Sequence, residues 1–359
     1  MKQITAFRRM PVIGPSLRRR ALLSLLPAGL VARHALAADF HPAPLPAGQT
    51  RTVRLAVGGV ADVTHLAVWY AKYAGYFDAL KADGISVEVT PFGGGSEWLL
   101  ALASGRVDMA HGYFENAIRA HSQGRDVVLI DNILPTPVFL VVVRKDLAGT
   151  VKSVKDVRGL SWGFTSFGSA SHVVSLRVAK HFGVEQSSVK WLGVGGSTGF
   201  LPAIREKRVD VLTTSVMTGT QLIQEGSAVL LQDVTSAKAV NEIYGHPYLG
   251  PGMLTSHAYC EQEPFVVLKV TSMVRKAIRA VQAAKPADVA KILPAEFQVD
   301  SLVGAIDLIA KAFAPDGEIP LSTVTAMIGD MSDLKLGKGG IEPADMIDNR
   351  FIQAVQAGA

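Results

Sequence analysis

Two segments about a hundred residues apart carry the same pattern, which is a Gly-Gly-Ser turn, an apolar stretch with helical spacing and an Arg-Val-Asp triplet. The first copy occupies residues 94–108 and the second residues 195–210. Each copy follows a run of β-forming residues and leads into another, so each predicts a strand, a turn, a helix and a strand. The repetition predicts two similar α/β lobes.

The helix starts within this repeat predict a binding site. In both copies a serine, Ser96 or Ser197, stands directly after the glycines, where it would cap the helix. Backbone N–H groups in the first turn of a helix lack intrahelical partners, and the positive end of the helix dipole lies there. If the helix starts of two lobes face each other beyond the strand ends, they form an anion site.

The first 37 residues have the character of a secretory signal peptide. They contain seven basic residues, an apolar run over 21–31 and the sequence Ala-Leu-Ala at 35–37. The apolar run has eleven residues, fewer than the ~20 that span a bilayer. Because Arg18, Arg19 and Arg20 precede it, both general secretion and twin-arginine export stay open. We therefore expect a soluble protein exported to the periplasm.

Composition excludes several classes of function. The formal net charge of +5 comes from the leader, which holds seven of the 36 Lys and Arg residues and none of the 31 Asp and Glu residues. The rest of the chain is nearly neutral, which argues against a nucleic-acid partner. The one cysteine, Cys260, excludes an intrachain disulfide, and the nine histidines show no metal-binding spacing. We expect no metal and no cofactor.

The remaining sequence has a recognisable order of elements. Residues 38–50, rich in Pro and Ala, predict an extended lead-in, and the chain from Pro264 onward is largely helical in pattern. An apolar strand at 138–143 and a Pro- and Gly-rich segment at 244–253 predict two hinge crossings, about which the lobes would close on a ligand. The crossings divide the chain into lobe 1, residues 51–141 plus 251–359, and lobe 2, residues 142–250.

Two further segments resemble the periplasmic solute-binding proteins of taurine, nitrate and sulfonate ABC transporters. Residues 152–172, KSVKDVRGLSWGF followed by SFGSASH, are similar to the family signature D-L-K-G-K-x-I-G-V-x-x-x-G-S, and residues 101–110, ALASGRVDMA, to its element A-L-x-S-G-x-V-D. The resemblance extends from about residue 51 to about residue 281. It implies the type II periplasmic binding fold, an α/β fold in which each of two lobes is a mixed sheet flanked by helices.

The same resemblance implies a function and partners. The protein would be the substrate-binding component of an ABC importer, which closes on a small anionic or zwitterionic ligand and delivers it to an inner-membrane permease driven by an ATPase. A taurine-like aliphatic sulfonate is favoured, while nitrate, an aromatic carboxylate and a pyrimidine stay open. In that family the anionic head lies between the lobes, held by hydroxyls and N–H groups at helix starts.

Matching positions, together with residues that follow predicted strand ends, give the expected ligand-binding set. Within it, Glu115 would repel an anion unless it meets an amine, so it either favours a zwitterion or is solvated or ion-paired. The set is Thr64, His65, Gly95, Ser96, Tyr113, Phe114, Glu115, Ser166, Gly168, Ser169, Ala170, Ser171, His172, Ser215 and Met217.

An alternative function comes from the second Gly-Gly-Ser turn, which also satisfies G-x-S-x-G at 195–199, the pattern of a hydrolase nucleophile elbow. Asp233 followed by His246 or His257 would complete a triad around Ser197. The pattern fixes only three common residues, however, and the first copy of the repeat lacks its last glycine. We therefore expect a binding protein rather than an enzyme, with a serine hydrolase as the alternative.

Overall fold

The computed structural model describes residues 40–59, 62–337 and 340–358. The signal peptide predicted at residues 1–37 lies outside these residues, as do the first two residues of the predicted lead-in. Residues 40–50 form neither helix nor strand. Among the helices of the described residues, none has the length and apolar character needed to cross a membrane.

Strands and helices alternate through most of the described chain. The strands are β1 (Arg51–Val57), β2 (Ile85–Pro91), β3 (Met109–Tyr113), β4 (Val128–Asn132), β5 (Phe139–Arg144), β6 (Ser161–Phe164), β7 (Lys190–Gly193), β8 (Val211–Ser215), β9 (Ala228–Val234) and β10 (Pro251–Thr255). The helices up to the last strand are α1 (Leu66–Tyr73), α2 (Tyr76–Ala79), α3 (Gly95–Ala103), α4 (Phe114–His121), α5 (Ala170–His181), α6 (Ser197–Arg205), α7 (Val216–Gln224) and α8 (Ala237–Tyr244). After β10 follow α9 (His257–Gln262), α10 (Pro264–Ala283), α11 (Pro286–Ile292), α12 (Leu302–Ala312), α13 (Leu321–Asp333) and α14 (Arg350–Ala357).

The strands form two five-stranded mixed sheets with the same topology. The first has the order β2-β1-β3-β10-β4 and the second the order β7-β6-β8-β5-β9. In each sheet three neighbouring strands are parallel, and the fourth runs antiparallel to both of its neighbours. The two lobes predicted from the repeated segment are confirmed by this pair of like sheets.

The chain crosses between the lobes twice. Strand β5 pairs along its whole length in the second sheet, and β10 pairs in the first. The chain therefore crosses outward between Asn132 and Phe139 and returns between Val234 and Pro251. The boundary expected between residues 141 and 142 falls inside β5, because the apolar run after Pro137 joins the second sheet at once.

The last helices pack mainly on the first lobe. Helix α10 packs against α1 and α2 of that lobe and against α14. A buried ion pair joins α10 to β4, since Arg275 Nε donates to Asp131 Oδ2 over 2.9 Å. The same guanidinium donates to the carbonyl of Ala314 through Nη1 (2.8 Å), which fixes the segment before α13. Ser301, just before α12, reaches the second lobe, where its hydroxyl donates to the carbonyl of Met217 (3.1 Å).

Candidate functional site

The two Gly-Gly-Ser turns meet each other between the lobes. A Cβ atom added at Gly196 would overlap the carbonyl oxygen of Gly93, and one at Gly94 would lie 2.6 Å from Cγ2 of Thr165. Only glycine permits such an approach, which explains why both turns carry it. Close backbone contact across the lobes means that the cleft is closed in this structure.

The serines of the repeat do not occupy the N-cap positions of their helices. Helix α3 begins at Gly95 with Gly94 as its N-cap, and α6 begins at Ser197 with Gly196 as its N-cap. The prediction that Ser96 and Ser197 are capping residues is therefore wrong, because the glycine needed for the close approach occupies the capping position. Each serine instead stands within the first turn of its helix.

Helix starts from both lobes surround the cleft, as the repeat predicted. Leaving aside α1, which directly continues the short turn Val63–His65, the N-cap residues of five helices line it, and four of them make no side-chain capping bond: Gly94, Tyr113, Gly196 and Ser215. The fifth, Ser169, accepts a hydrogen bond from the backbone N–H of His172. Four helices therefore present first-turn N–H groups that no N-cap side chain satisfies, together with the positive ends of their dipoles.

About half of the predicted ligand-binding residues line this cleft. Thr64 and His65 come from the turn after β1, and Tyr113 and Ser215 end β3 and β8. The remaining predicted residues that line it are at helix starts, namely Gly95, Ser169, Ala170 and Ser171.

Ser96, Ser166 and Gly168 lie at the edge of the cleft rather than in its lining. The hydroxyls of Ser96 and Ser166 are 3.3 Å apart and join the two lobes. Arg119 Nη2 donates to Ser96 Oγ over 3.3 Å, and its guanidinium lies against the backbone of Gly168. Within the described residues this arginine has no carboxylate partner. An arginine that is not neutralised thus adds positive charge at the edge of the cleft.

Three other predicted residues are packed away from the cleft. Phe114 and Met217 are buried in the hydrophobic core. His172 packs against Phe164, and its Nδ1 accepts a hydrogen bond from the backbone N–H of Gly168 (3.1 Å). Burial, with a smaller contribution from Arg119, lowers the pKa of His172 to about 4, so the ring is neutral at neutral pH.

Glu115 also points away from the cleft. Its side chain is buried, and Oε1 accepts a hydrogen bond from the hydroxyl of Tyr248, near the return crossing. Within the described residues Oε2 has no hydrogen-bond partner. Burial raises the pKa of Glu115 to about 8, so the carboxyl is largely protonated at neutral pH. The expectation that it faces the ligand is not met, because its direction on α4 is toward the crossing.

His65, which lines the cleft, forms a buried pair with His111. The Nδ1 atoms of His65 and His111 are 2.6 Å apart, so one ring donates to the other. Burial lowers the pKa of His65 to about 4 and that of His111 well below its usual range. Both rings are therefore neutral at neutral pH, and His65 presents an uncharged face to the cleft.

The cleft lining also contains polar residues outside the predicted set. Asp62 and Asn116, like Thr165, line the cleft. Asp62 caps the short turn before α1, and Asn116 is the third residue of α4. In the sequence, the one feature that indicates Asp62 and Asn116 as lining residues is that each follows the end of a strand. The other lining side chains that were missed are Trp98, Phe139 and Phe200.

The aspartate and the histidines of the proposed hydrolase triad do not contact each other. Oδ1 of Asp233 accepts from the backbone N–H of Thr235 (2.7 Å). Nε2 of His246 contacts Asp330 (2.9 Å), and Nδ1 of His257 contacts Asp126 (2.8 Å). Neither histidine is oriented by Asp233, which a triad would require. Among the residues described by the structure, His, Cys, Asp and Glu form no group of three that could hold a metal ion.

Comparisons with solved structures agree with this architecture. A protein of Bordetella bronchiseptica RB50 is 24% identical, with a TM-score of 0.76 over 85% of this chain and 97% of that one. The alkanesulfonate-binding protein SsuA from Xanthomonas axonopodis pv. citri, bound to MOPS, is 18% identical, with a TM-score of 0.69 over 84% and 100% of the two chains. The periplasmic nitrate-binding protein NrtA from Synechocystis PCC 6803 is 13% identical, with a TM-score of 0.69 over 88% and 90%.

The sequence comparisons give the family. No curated protein matches the chain. The family described as NMT1/THI5 like matches residues 62–288, more than half of the chain and both lobes of the fold. SsuA is described as an alkanesulfonate-binding protein and NrtA as a periplasmic nitrate-binding protein. The chain therefore belongs to the NMT1/THI5-like family and has the two-lobe fold of periplasmic binding proteins.

Proposed function

We propose that this protein is the substrate-binding component of an ABC importer and captures a small organic anion, with a taurine-like sulfonate favoured, between its lobes. The observation that carries the proposal is that four helix starts without side-chain caps face one cleft from two lobes. Preorganised N–H groups and helix dipoles there favour a negatively charged group. The likeness in fold to an alkanesulfonate-binding and a nitrate-binding protein supports the same class of ligand.

In this proposal the ligand stabilises the closed arrangement. The lobes contact each other at the two Gly-Gly-Ser turns, so a bound anion touches helix starts of both. Its affinity for the closed form exceeds that for an open form, which shifts the equilibrium toward closure. The proposed ligand-binding residues are those predicted residues that line the cleft, which are Thr64, His65, Gly95, Tyr113, Ser169, Ala170, Ser171 and Ser215, with Ser96 and Ser166 at its edge.

The proposal includes the cellular setting. Export by the predicted signal peptide would place the protein in the periplasm, where it would deliver its ligand to a membrane permease and the associated ATPase. We further propose that the lobes rotate about the two crossings, near Pro137 and Gly250, during capture and release.

Thermal unfolding of the purified protein tests the ligand. The panel contains taurine, unsubstituted alkanesulfonates, nitrate, aromatic carboxylates and pyrimidines, each at millimolar concentration. A ligand at a thousand times its Kd adds about 4 kcal/mol of stability, which raises the melting temperature by several degrees in a chain of this size. A shift with sulfonates supports the proposal. A shift with pyrimidines alone, or no shift with any compound, would contradict it.

A further inference from the structure

The cleft has an acceptor side as well as a donor side. Oδ1 of Asp62 accepts a hydrogen bond from the backbone N–H of Thr64 (2.9 Å), and the carboxylate faces the cleft. In the part of the chain that the structure describes, no Lys or Arg forms an ion pair with it. A carboxylate without a cation is unfavourable beside an oxyanion.

Asn116 is a second polar residue of the same cleft, and within the described residues its side-chain amide is unpaired. Its side chain is fully buried and lines the cleft, yet neither Nδ2 nor Oδ1 has a hydrogen-bond partner among the described residues. The amide lies against the first turn of α3, where a Cβ at Gly95 would be 2.5 Å from Nδ2. Buried polar atoms without partners cost free energy, so an amide in this position calls for a ligand that satisfies it.

Asp62 and Asn116 together indicate which polar groups the ligand carries. A bare oxyanion would satisfy the N–H groups of α3, α6 and α7, but it would be repelled by Asp62 and would leave Oδ1 of Asn116 unpaired. A ligand with an N–H donor beside its anionic group satisfies both sides. The donor would bind Asp62 and Oδ1 of Asn116, while the anionic oxygens accept from the helix starts.

We propose that Asp62, together with Asn116, makes this cleft selective for ligands that carry an N–H donor beside the anionic group, and that Asp62 excludes bare oxyanions. The inference rests on the proposed function, because it assigns polarity within the same cleft. It makes Asp62 and Asn116 specificity-determining residues. Both an amino-substituted sulfonate and an amino-substituted carboxylate have this combination of groups. The experiment below distinguishes the sulfonate from the carboxylate.

Isothermal titration calorimetry with matched pairs of compounds tests the selectivity. Taurine is compared with propane-1-sulfonate, in which a methyl group replaces the ammonium, and 3-aminopropanoate with butanoate. The wild type should bind the amino compound of at least one pair tenfold or more tighter than its methyl counterpart, since charge-assisted hydrogen bonds are the stronger ones. The pair that binds identifies the acid.

The decisive variant is Asp62→Asn, which keeps an N-cap side chain for Thr64 and removes the charge. It should weaken binding of the amino compound about tenfold or more and leave binding of the methyl compound equal or tighter. Asp78→Asn is the matched control, because it removes the same charge from an exposed ion pair with Lys81 on the same lobe. The control should leave all four affinities unchanged.

The remaining results distinguish a failure of this inference alone from a failure of the proposed function. If the wild type binds propane-1-sulfonate or butanoate as tightly as the amino compound, the selectivity is refuted while the proposed function stands. If Asp62→Asn keeps the wild-type preference, Asp62 is not the determinant. If neither sulfonates nor carboxylates bind, the proposed function and this inference both fail.

Discussion

Glu115 and Asn116 are neighbours on helix α4 but serve different parts of the molecule. Asn116 lines the cleft, and Glu115 is buried against Tyr248 near the return crossing. Successive residues on a helix point about 100° apart, so a helix that starts at the cleft can direct one side chain to the hinge region and the next to the ligand. A sequence can indicate where such a helix starts, but the rotation of the helix decides which residue faces the ligand.

Glu115 and Asn116 also differ in their hydrogen bonds. Glu115 receives a hydrogen bond from Tyr248, and burial keeps it largely protonated at neutral pH. Asn116 carries no charge, but its donor and its acceptor lack partners within the described residues. The carboxyl of Glu115 therefore contributes to the stability of the fold through Tyr248, whereas the amide of Asn116 is available to a ligand. Variants at these positions should separate stability from affinity.

The largest expected effect on stability is that of Glu115→Gln. The folded pKa of about 8 lies above the unfolded value of 4.5, so between these pH values the folded state holds a proton that the unfolded state releases. The stability of the wild type should therefore fall as the pH rises from about 5 to about 8. Glutamine cannot ionise, so the variant should gain on the order of 3 kcal/mol over the wild type across this range.

Urea unfolding at pH 5 and pH 9 measures this difference. Glu88→Gln is the control, since Glu88 is exposed on β2 and should show a pH dependence close to that of the wild type. Equal stability of Glu115→Gln and the wild type at both pH values would mean that Glu115 is ionised in the folded protein at neutral pH.

The second largest expected effect is on ligand affinity, at Asn116. Asn116→Leu keeps the branched shape and the number of heavy atoms of the side chain and removes both polar atoms. We expect Kd for the ligand to rise 10- to 100-fold, or about 2 kcal/mol. The unliganded protein should be as stable or more stable, because two unpaired buried atoms are gone.

Calorimetry on Asn116→Leu and Glu115→Gln, measured side by side, decides which of the neighbouring residues touches the ligand. Glu115→Gln should change Kd by less than about twofold, since its side chain does not line the cleft. If only Glu115→Gln weakened binding, the ligand would contact the face of α4 that carries Glu115, and the cleft that Asn116 lines would not be the binding site.

The fold could be predicted from the sequence further than the site could. The repeated Gly-Gly-Ser segment predicted two like lobes with facing helix starts, because strand and helix periods and turn residues are local signals. Asp62, Asn116 and Arg119 were missed. Their roles depend on the rotation of a helix and on the approach of the second lobe, and neither is encoded by the spacing of residues along one element.

The serines at helix starts also show that sequence alone does not predict the role of each residue in the site. Ser96 and Ser169 both follow a strand and open a helix, and the sequence gives no reason to separate them. In the structure only Ser169 is an N-cap residue, while the capping position before α3 is taken by Gly94. The close contact between Gly94 and Thr165 across the cleft determines this difference.

Ser169→Ala should therefore lower stability as well as affinity. The hydroxyl of Ser169 accepts from the backbone N–H groups of Ser166 (3.3 Å) and His172 (3.4 Å), and loss of a serine cap costs about 1 kcal/mol. Ser236→Ala is the matched control, since Ser236 caps α8 through Ala239 (3.2 Å) and does not line the cleft. Both variants should lose similar stability in urea unfolding, but only Ser169→Ala should bind ligand more weakly.

The smallest effect is expected for Ser96→Ala, which tests whether the serine of the repeat acts across the lobes. No cap is lost, so the free energy of unfolding without ligand should change by less than about 0.5 kcal/mol. The contacts of its hydroxyl with Ser166 and Arg119 at the edge of the closed cleft are lost, which should raise Kd by about two- to threefold. A loss of stability equal to that of Ser169→Ala, without any change in Kd, would show that Ser96 caps α3 in solution. A small rise in Kd without a change in the free energy of unfolding would mean that the Ser96 hydroxyl stabilises only the closed form, because its partner Ser166 belongs to the other lobe.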